Sequence, residues 1–216
     1  MKNKTKIIGS IVIFLAVIIL LFLNNTTPVI DKTQIKPIAL IEYPAEYNYR
    51  QTINDCGPFN TAAIVRALKK EEVDSQEFAE KIKWRLPNKY TLPWGLEAQL
   101  EGNGVVIETP DLGTLSNEDK ILFLQEQISL GKPIIILGGR DNYQHYISIF
   151  GFDSSKNEFY IYDSLLDKNL DVEDLTIDKN GDLPGNRTLS SVDILGFWNK
   201  GGMYGLYGWH SIVASL

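Results

Sequence analysis

The chain holds one cysteine and two histidines among its 216 residues. A single cysteine excludes an internal disulfide and any metal site built on several thiolates. With only His145 and His210, a histidine-based metal site is nearly excluded too, so the residues call for no metal and no cofactor. Basic charge is also scarce. Lys and Arg number 21 against 27 Asp and Glu, for a net charge of −6. Lys2, Lys4 and Lys6 all precede the first acidic residue, Asp31, so the rest of the chain is more acidic still. That balance argues against nucleic acid as a partner, because backbone phosphates are bound by a basic face. Apolar and aromatic residues are not lacking. At 44% and 11% they suffice for a packed core, which excludes wholesale disorder.

Residues 7–23 carry no charge and nothing more polar than Ser10. The run is at the short end of a membrane span and longer than a typical signal-peptide core. The following Asn24-Asn25-Thr26-Thr27-Pro28 lacks an A-x-A cleavage pattern. The expectation is an uncleaved transmembrane anchor, with a cleaved signal peptide as the alternative. Lys2, Lys4 and Lys6 put the N-terminus in the cytoplasm, so everything from Asn24 onward faces outward. The chain is thus expected in the cell membrane as a single-pass protein with an extracellular domain, or secreted if the signal is removed. Pro28 and Pro37 point to a short extended tether. The expected organisation is tail and anchor over 1–24, tether over 25–37 and one folded domain over 38–216.

Apolar residues recur at helical spacing at Phe59, Ala62, Ala63, Val65 and Leu68, which predicts a helix over Phe59 to Lys70. Asp74-Ser75-Gln76-Glu77 opens a second helix to about Lys83. Thr91 to Leu96 opens a third, ending by Gly102. Val105 to Ile107 reads as a strand. Ser116 caps a fourth helix that Gly131 and Pro133 stop. The period then changes. Pro133 to Leu137 is a buried strand, 138–142 a turn, His145 to Phe150 a strand ended by Gly151, and Glu158 to Tyr162 a strand ended by Asp163. Three strands with short connections form an antiparallel meander. Residues 164–187 read as a polar surface excursion, Ser190 to Trp198 as a short helix, and Trp209 to Ala214 as a closing strand. Helices first and strands later give an α+β fold, with N-terminal helices packed on an antiparallel sheet.

Cys56 lies at or just before a helix N-terminus, where unpaired N–H groups and the dipole stabilise a thiolate. It is either a nucleophile or a small buried hydrophobe. A thiol nucleophile needs a base and a group to orient that base. His145 begins the middle strand of the meander and Asp163 ends the next. If those strands pair as a hairpin, the two residues sit at one end of the sheet with matching parity.

The order of a cysteine before a helix, a histidine at a strand start and an aspartate after the next strand is that of papain-like cysteine peptidases. More closely, the chain resembles the bacteriocin-processing (double-glycine leader) peptidase family, as a stand-alone, membrane-anchored relative. The residues are Gln51 with Asn54-Asp55-Cys56-Gly57-Pro58, Thr91 to Leu96, Gly131 to Ile136, His145 to Asp153 and Phe159 to Asp163. The resemblance implies that Cys56 attacks a carbonyl, that His145 carries the proton and that Asp163 orients the imidazole. It implies an oxyanion hole made by Gln51 with the Cys56 N–H, Asn54 being the other amide in reach. Gln51 lies five residues before Cys56, where the family often has six. Ser164 follows the aspartate, where the family often has proline. The implied activity is a cysteine peptidase or amidase acting on a peptide or protein substrate. The alternatives are a transglutaminase-like acyl transferase and a non-catalytic binding module on the same fold.

Plainer readings attach to the remaining residues. His210 reads as a packed strand histidine, since no acid follows it. Asp55 reads as a helix cap. Trp84, Trp94, Trp198 and Trp209 read as core or cleft wall. Residues 178–182 look like a calcium loop, but Leu183 and Leu189 stand where that loop needs Gly and Glu, so a solvated turn is expected. Asn186-Arg187-Thr188 matches a glycosylation sequon.

Overall fold

The computed structural model describes residues 27–140, 143–165, 182–202 and 207–216. The apolar run 7–23 lies outside them. Among the described residues no helix is long and apolar enough to cross a membrane.

The sheet is antiparallel, as the meander predicts. Its strands are β1 (Ile38–Leu40), β2 (Val106–Glu108), β3 (Ile134–Arg140), β4 (Tyr143–Asp153), β5 (Glu158–Tyr162), β6 (Arg187–Ser190) and β7 (Ser211–Ser215). They run in the order β2-β7-β3-β4-β5-β6, with β1 also paired to β4. Ile134, Ile135, Ile136 and Leu137 alternate between the two faces and are all buried, so both faces of the sheet are covered. Helices α1 (Cys56–Lys69), α2 (Ser75–Lys81), α3 (Pro93–Gly102), α4 (Asn117–Ser129) and α5 (Ser191–Trp198) supply that cover. α1 starts three residues before the predicted Phe59, at Cys56, and the other starts are those the sequence marks. Asp74 caps α2, Pro93 sits in the first turn of α3, and Ser116 and Ser190 cap α4 and α5.

Three expectations need correction. The glycines at 138 and 139 are not a turn. Gly138 pairs with His145 and Gly139 with Gln144, so β3 runs on to Arg140. A Cβ on Gly138 would lie 2.0 Å from Phe197 Cε1, and one on Gly139 would lie 2.3 Å from the Lys200 carbonyl oxygen. Glycine is there because the end of α5 presses on the strand, not because the backbone reverses. Gly151 likewise does not end β4. It sits at a bulge where the register to β5 shifts, and the strand continues to Asp153. Finally, the segment 164–187 does not stay on the surface. Residues 166–181 lie outside the described residues, and most of the calcium-like turn with them. Pro184, Gly185 and Asn186 are buried, and the chain re-enters the sheet as β6 beside β5.

Residues 31–36, within the expected tether, lie along α4. The Asp31 N–H donates to Glu126 Oε1 at 2.7 Å, and the Lys36 N–H donates to Ser129 Oγ at 3.0 Å.

Candidate active site

Cys56 is the first residue of α1, so the free N–H groups of the first turn surround its base. Asp55 occupies the cap position but makes no capping hydrogen bond. Its buried carboxylate instead pairs with Arg85 Nη2 at 2.5 Å and accepts from the Thr52 hydroxyl. Asp55 therefore ties the loop before α1 to the loop carrying Arg85, which corrects the capping expectation.

Asn60, one turn further along α1, is fully buried and fixes the helix to the sheet. Its Nδ2 donates to the carbonyls of Cys56 and of Tyr146, both at 2.8 Å. Its Oδ1 accepts from Ser148 Oγ at 2.6 Å. One amide thus joins the backbone of Cys56 to the residue after His145. A buried amide with its partners satisfied holds one geometry and resists slippage.

His145 is the third residue of β4, and Asp163 follows β5 directly. The pairings Ser148 with Tyr162 and Ile149 with Ile161 put the two residues on the same face at the same end of the sheet. His145 Nε2 lies 2.7 Å from Asp163 Oδ1. Cys56, His145 and Asp163 are only 3%, 4% and 5% exposed. With the carboxylate on Nε2, Nδ1 is the basic nitrogen of the neutral ring. Burial alone would favour the uncharged imidazole. The Asp163 charge and hydrogen bond, joined by the Cys56 side chain as hydrogen-bond partner and charge, more than offset it and raise the pKa of His145. Burial likewise works against the Asp163 carboxylate. The His145 charge and hydrogen bond, then Arg187 and the Leu165 N–H, hold its pKa below the usual range.

Gln51 is buried in the loop before α1. Its N–H donates to the Ser164 carbonyl at 3.0 Å, and its Oε1 accepts from Ser164 Oγ at 2.6 Å. Its Nε2 is buried without a hydrogen-bond partner among the described residues. Asn54 is placed differently. Its backbone is left-handed, with φ of 59°, and its Nδ2 donates to the Asn88 carbonyl at 2.7 Å.

His210 sits just before β7 rather than within it. Its carbonyl accepts from Trp198 Nε1 at 2.8 Å, and its ring lies edge-on to Tyr207. Burial pushes its pKa down to about 4. Trp198 is core, but Trp84 is 61% exposed and meets the partly exposed Trp94 edge to face.

Several residues of this site carry no motif that points to it. Asn186 accepts from the Asp163 N–H at 2.9 Å and donates to its carbonyl at 2.8 Å. That pairing buries the sequon amide, so Asn186 is a structural partner of Asp163 rather than a glycan acceptor. Arg187 Nη1 lies 2.6 Å from Asp163 Oδ2. The sequence assigns no partner to Asn60, Ser148 or Ser164, since each is a common polar residue until the fold brings that partner. Among the described residues no group of three His, Cys, Asp or Glu side chains is placed to hold a metal ion.

The Peptidase_C39 like family model matches residues 40–180, a span that holds Gln51, Cys56, His145 and Asp163 but neither Asn186 nor Arg187. No curated protein matches the chain.

Proposed function

The chain belongs to the Peptidase_C39 like family, and on that premise we propose that it is a cysteine peptidase or amidase working through Cys56, His145 and Asp163. The observation that carries this reading is the buried 2.7 Å contact of His145 with Asp163, next to a cysteine at a helix N-terminus. Cys56 attacks the carbonyl carbon of a peptide or amide bond and gives its proton to His145. The tetrahedral oxyanion is held by the Cys56 N–H and the Nε2 of Gln51. His145 then protonates the leaving amine as the thioester forms. Neutral His145 next takes a proton from water, which attacks the thioester and frees Cys56. The orphaned amide donor of Gln51 supports its place in the oxyanion hole, because a buried donor left unpaired is costly unless the reaction uses it.

On this reading residues 7–23 anchor the chain in the cell membrane and the domain over 38–216 faces outward, where it meets a peptide or protein substrate. The charge-free run after Lys2, Lys4 and Lys6 supports that placement.

The test is the pH dependence of Cys56 alkylation by iodoacetamide in the full-length chain, alongside hydrolysis of a fluorogenic peptide library. Alkylation persisting well below pH 7, lost in His145→Ala and kept in His210→Ala, is the expected result. Peptide hydrolysis should disappear in Cys56→Ala. A thiol indifferent to His145, in a folded chain that cleaves nothing, would sink the proposal.

A further inference from the structure

The two oxygens of Asp163 meet two basic side chains. Oδ1 meets His145 Nε2 at 2.7 Å and also accepts from the Leu165 N–H at 2.9 Å. Oδ2 meets Arg187 Nη1 at 2.6 Å. Arg187 is 7% exposed, so water screens this contact little. Its position is also fixed from both sides in the chain. Arg187 opens β6 opposite Ile161, and the Asn186 before it pairs with both backbone groups of Asp163. Gly185, with φ of 85°, lets the chain come in this close. A Cβ there would lie 2.1 Å from the Ile161 carbonyl oxygen.

We propose that Arg187 is a positioning residue for the reaction: its guanidinium, held on the second oxygen of Asp163, limits how tightly that carboxylate keeps His145 as an imidazolium. The inference rests on the reading of Cys56, His145 and Asp163 as the catalytic set. It adds a residue that lies beyond the span matched by the family.

The physical reason is charge balance. A carboxylate shared with a fixed cation attracts a second cation less strongly, and the two cations repel one another across it. His145 must give its proton to the leaving amine and then be neutral to accept one from water. An imidazolium held too firmly by an unshared buried carboxylate would stall the second step. With Arg187 present, guanidinium, carboxylate, imidazolium and thiolate sum to zero, which a buried site tolerates best. Among the described residues, three other groups near this chain carry no charge that would replace it. The Tyr162 hydroxyl donates to the Tyr49 carbonyl, the Tyr146 hydroxyl donates to the Thr91 carbonyl, and the Phe197 ring stands edge-on to His145. Among the described residues, Cys56 and Asp163 are charged groups that act on His145, and His145 and Arg187 charged groups that act on Asp163.

The experiment is an NMR titration of the His145 ring in the full-length chain carrying Cys56→Ala, which removes the coupled thiol. Two histidines make the assignment simple, with His210→Ala identifying the other ring. Arg187→Gln keeps a donor for Oδ2 and removes the charge, while Arg187→Lys keeps the charge. The expected result is a His145 pKa about one unit higher in Arg187→Gln, near the unsubstituted value in Arg187→Lys. With Cys56 restored, the alkaline limb of kcat/KM should move up with it, and kcat should fall more than KM changes. A His145 pKa that stays put in folded Arg187→Gln overturns the proposal. A second readout needs no variant. The side-chain ¹⁵N shift of Arg187 should follow the His145 titration, and a shift that ignores it counts equally against the clamp. Both NMR readouts are independent of turnover. A chain that hydrolyses nothing defeats the peptidase reading without deciding the clamp. An unmoved His145 in a chain with His145-dependent alkylation defeats the clamp alone.

Discussion

Ser164 Oγ donates a 2.6 Å hydrogen bond to Gln51 Oε1, which fixes one end of a side-chain amide whose Nε2 is left without a partner among the described residues. On the proposed reading, the residue that stands where the family often has proline holds the amide of the oxyanion donor. Gln51→Ala should lower kcat by about 10²–10³ with little change in KM. Ser164→Ala should cost about three- to tenfold, as expected for one neutral hydrogen bond. Asn54→Ala should leave kcat unchanged, because its amide is committed to Asn88. Steady-state kinetics on the three variants decide between the two amides. A large loss in Asn54→Ala with none in Gln51→Ala would reverse the assignment.

The stability of the fold should depend on pH through the same pair. Asp163 has a pKa lowered from 3.8 in the fold, so its contribution is present above that value and is lost as pH falls through the lower, folded one. His145 has a pKa raised from 6.5, so its contribution is full below 6.5 and is lost as pH climbs through the higher, folded one. Melting temperature should therefore decline on the alkaline side of pH 6.5, and His145→Ala should flatten that decline. An unchanged alkaline slope in the variant would refute the pairing as a source of stability.

His210 acts in the opposite sense. Its pKa of about 4 in the fold lies below 6.5, so stability is full above pH 6.5 and drains as pH falls toward 4. His210→Phe should remove that acid loss and leave the alkaline arm alone. Urea midpoints at pH 7.5 and 4.5 read the difference directly.

Asn60→Ala should cost about 1–3 kcal/mol in denaturant unfolding, because it strands the buried Ser148 hydroxyl and removes a side-chain donor from the Cys56 and Tyr146 carbonyls. More telling is the thiol. With the bridge gone, Cys56 alkylation should depend much less on His145. A variant that is destabilised yet keeps the wild-type pH profile would show that Asn60 serves the fold only.

Gly138→Ala should overpack the seam between β3 and α5 by about 1–3 kcal/mol, since the new methyl would enter the Phe197 ring. Phe197→Leu in the same chain should recover part of the loss. Additive costs in the double variant would mean that the clash is relieved elsewhere.

Helix starts were legible because their signals are local. Asp74, Pro93, Ser116 and Ser190 each stand within a turn of the N–H groups they serve. The meander was legible too, since an apolar run at 134–137 followed by two alternating strands has few other readings. β6 was missed because Arg187 to Ser190 is short and half polar, a strand only by its partner Glu158 to Ile161. The glycines at 138 and 139 misled because the sequence does not show what approaches them. Phe197 and Lys200 lie some 60 residues later.

The sequence by itself determined which groups were present to do chemistry. With one thiol and two imidazoles, position at a helix start and at a strand start left little choice. Tertiary structure alone decided how those groups are held. The Ser164 bond to Gln51, the Asn60 bridge and the Arg187 contact on Asp163 each join residues that are distant in the chain. A local pattern records propensity and period. Which buried polar atoms find partners depends on how whole elements pack, and that is written only in three dimensions.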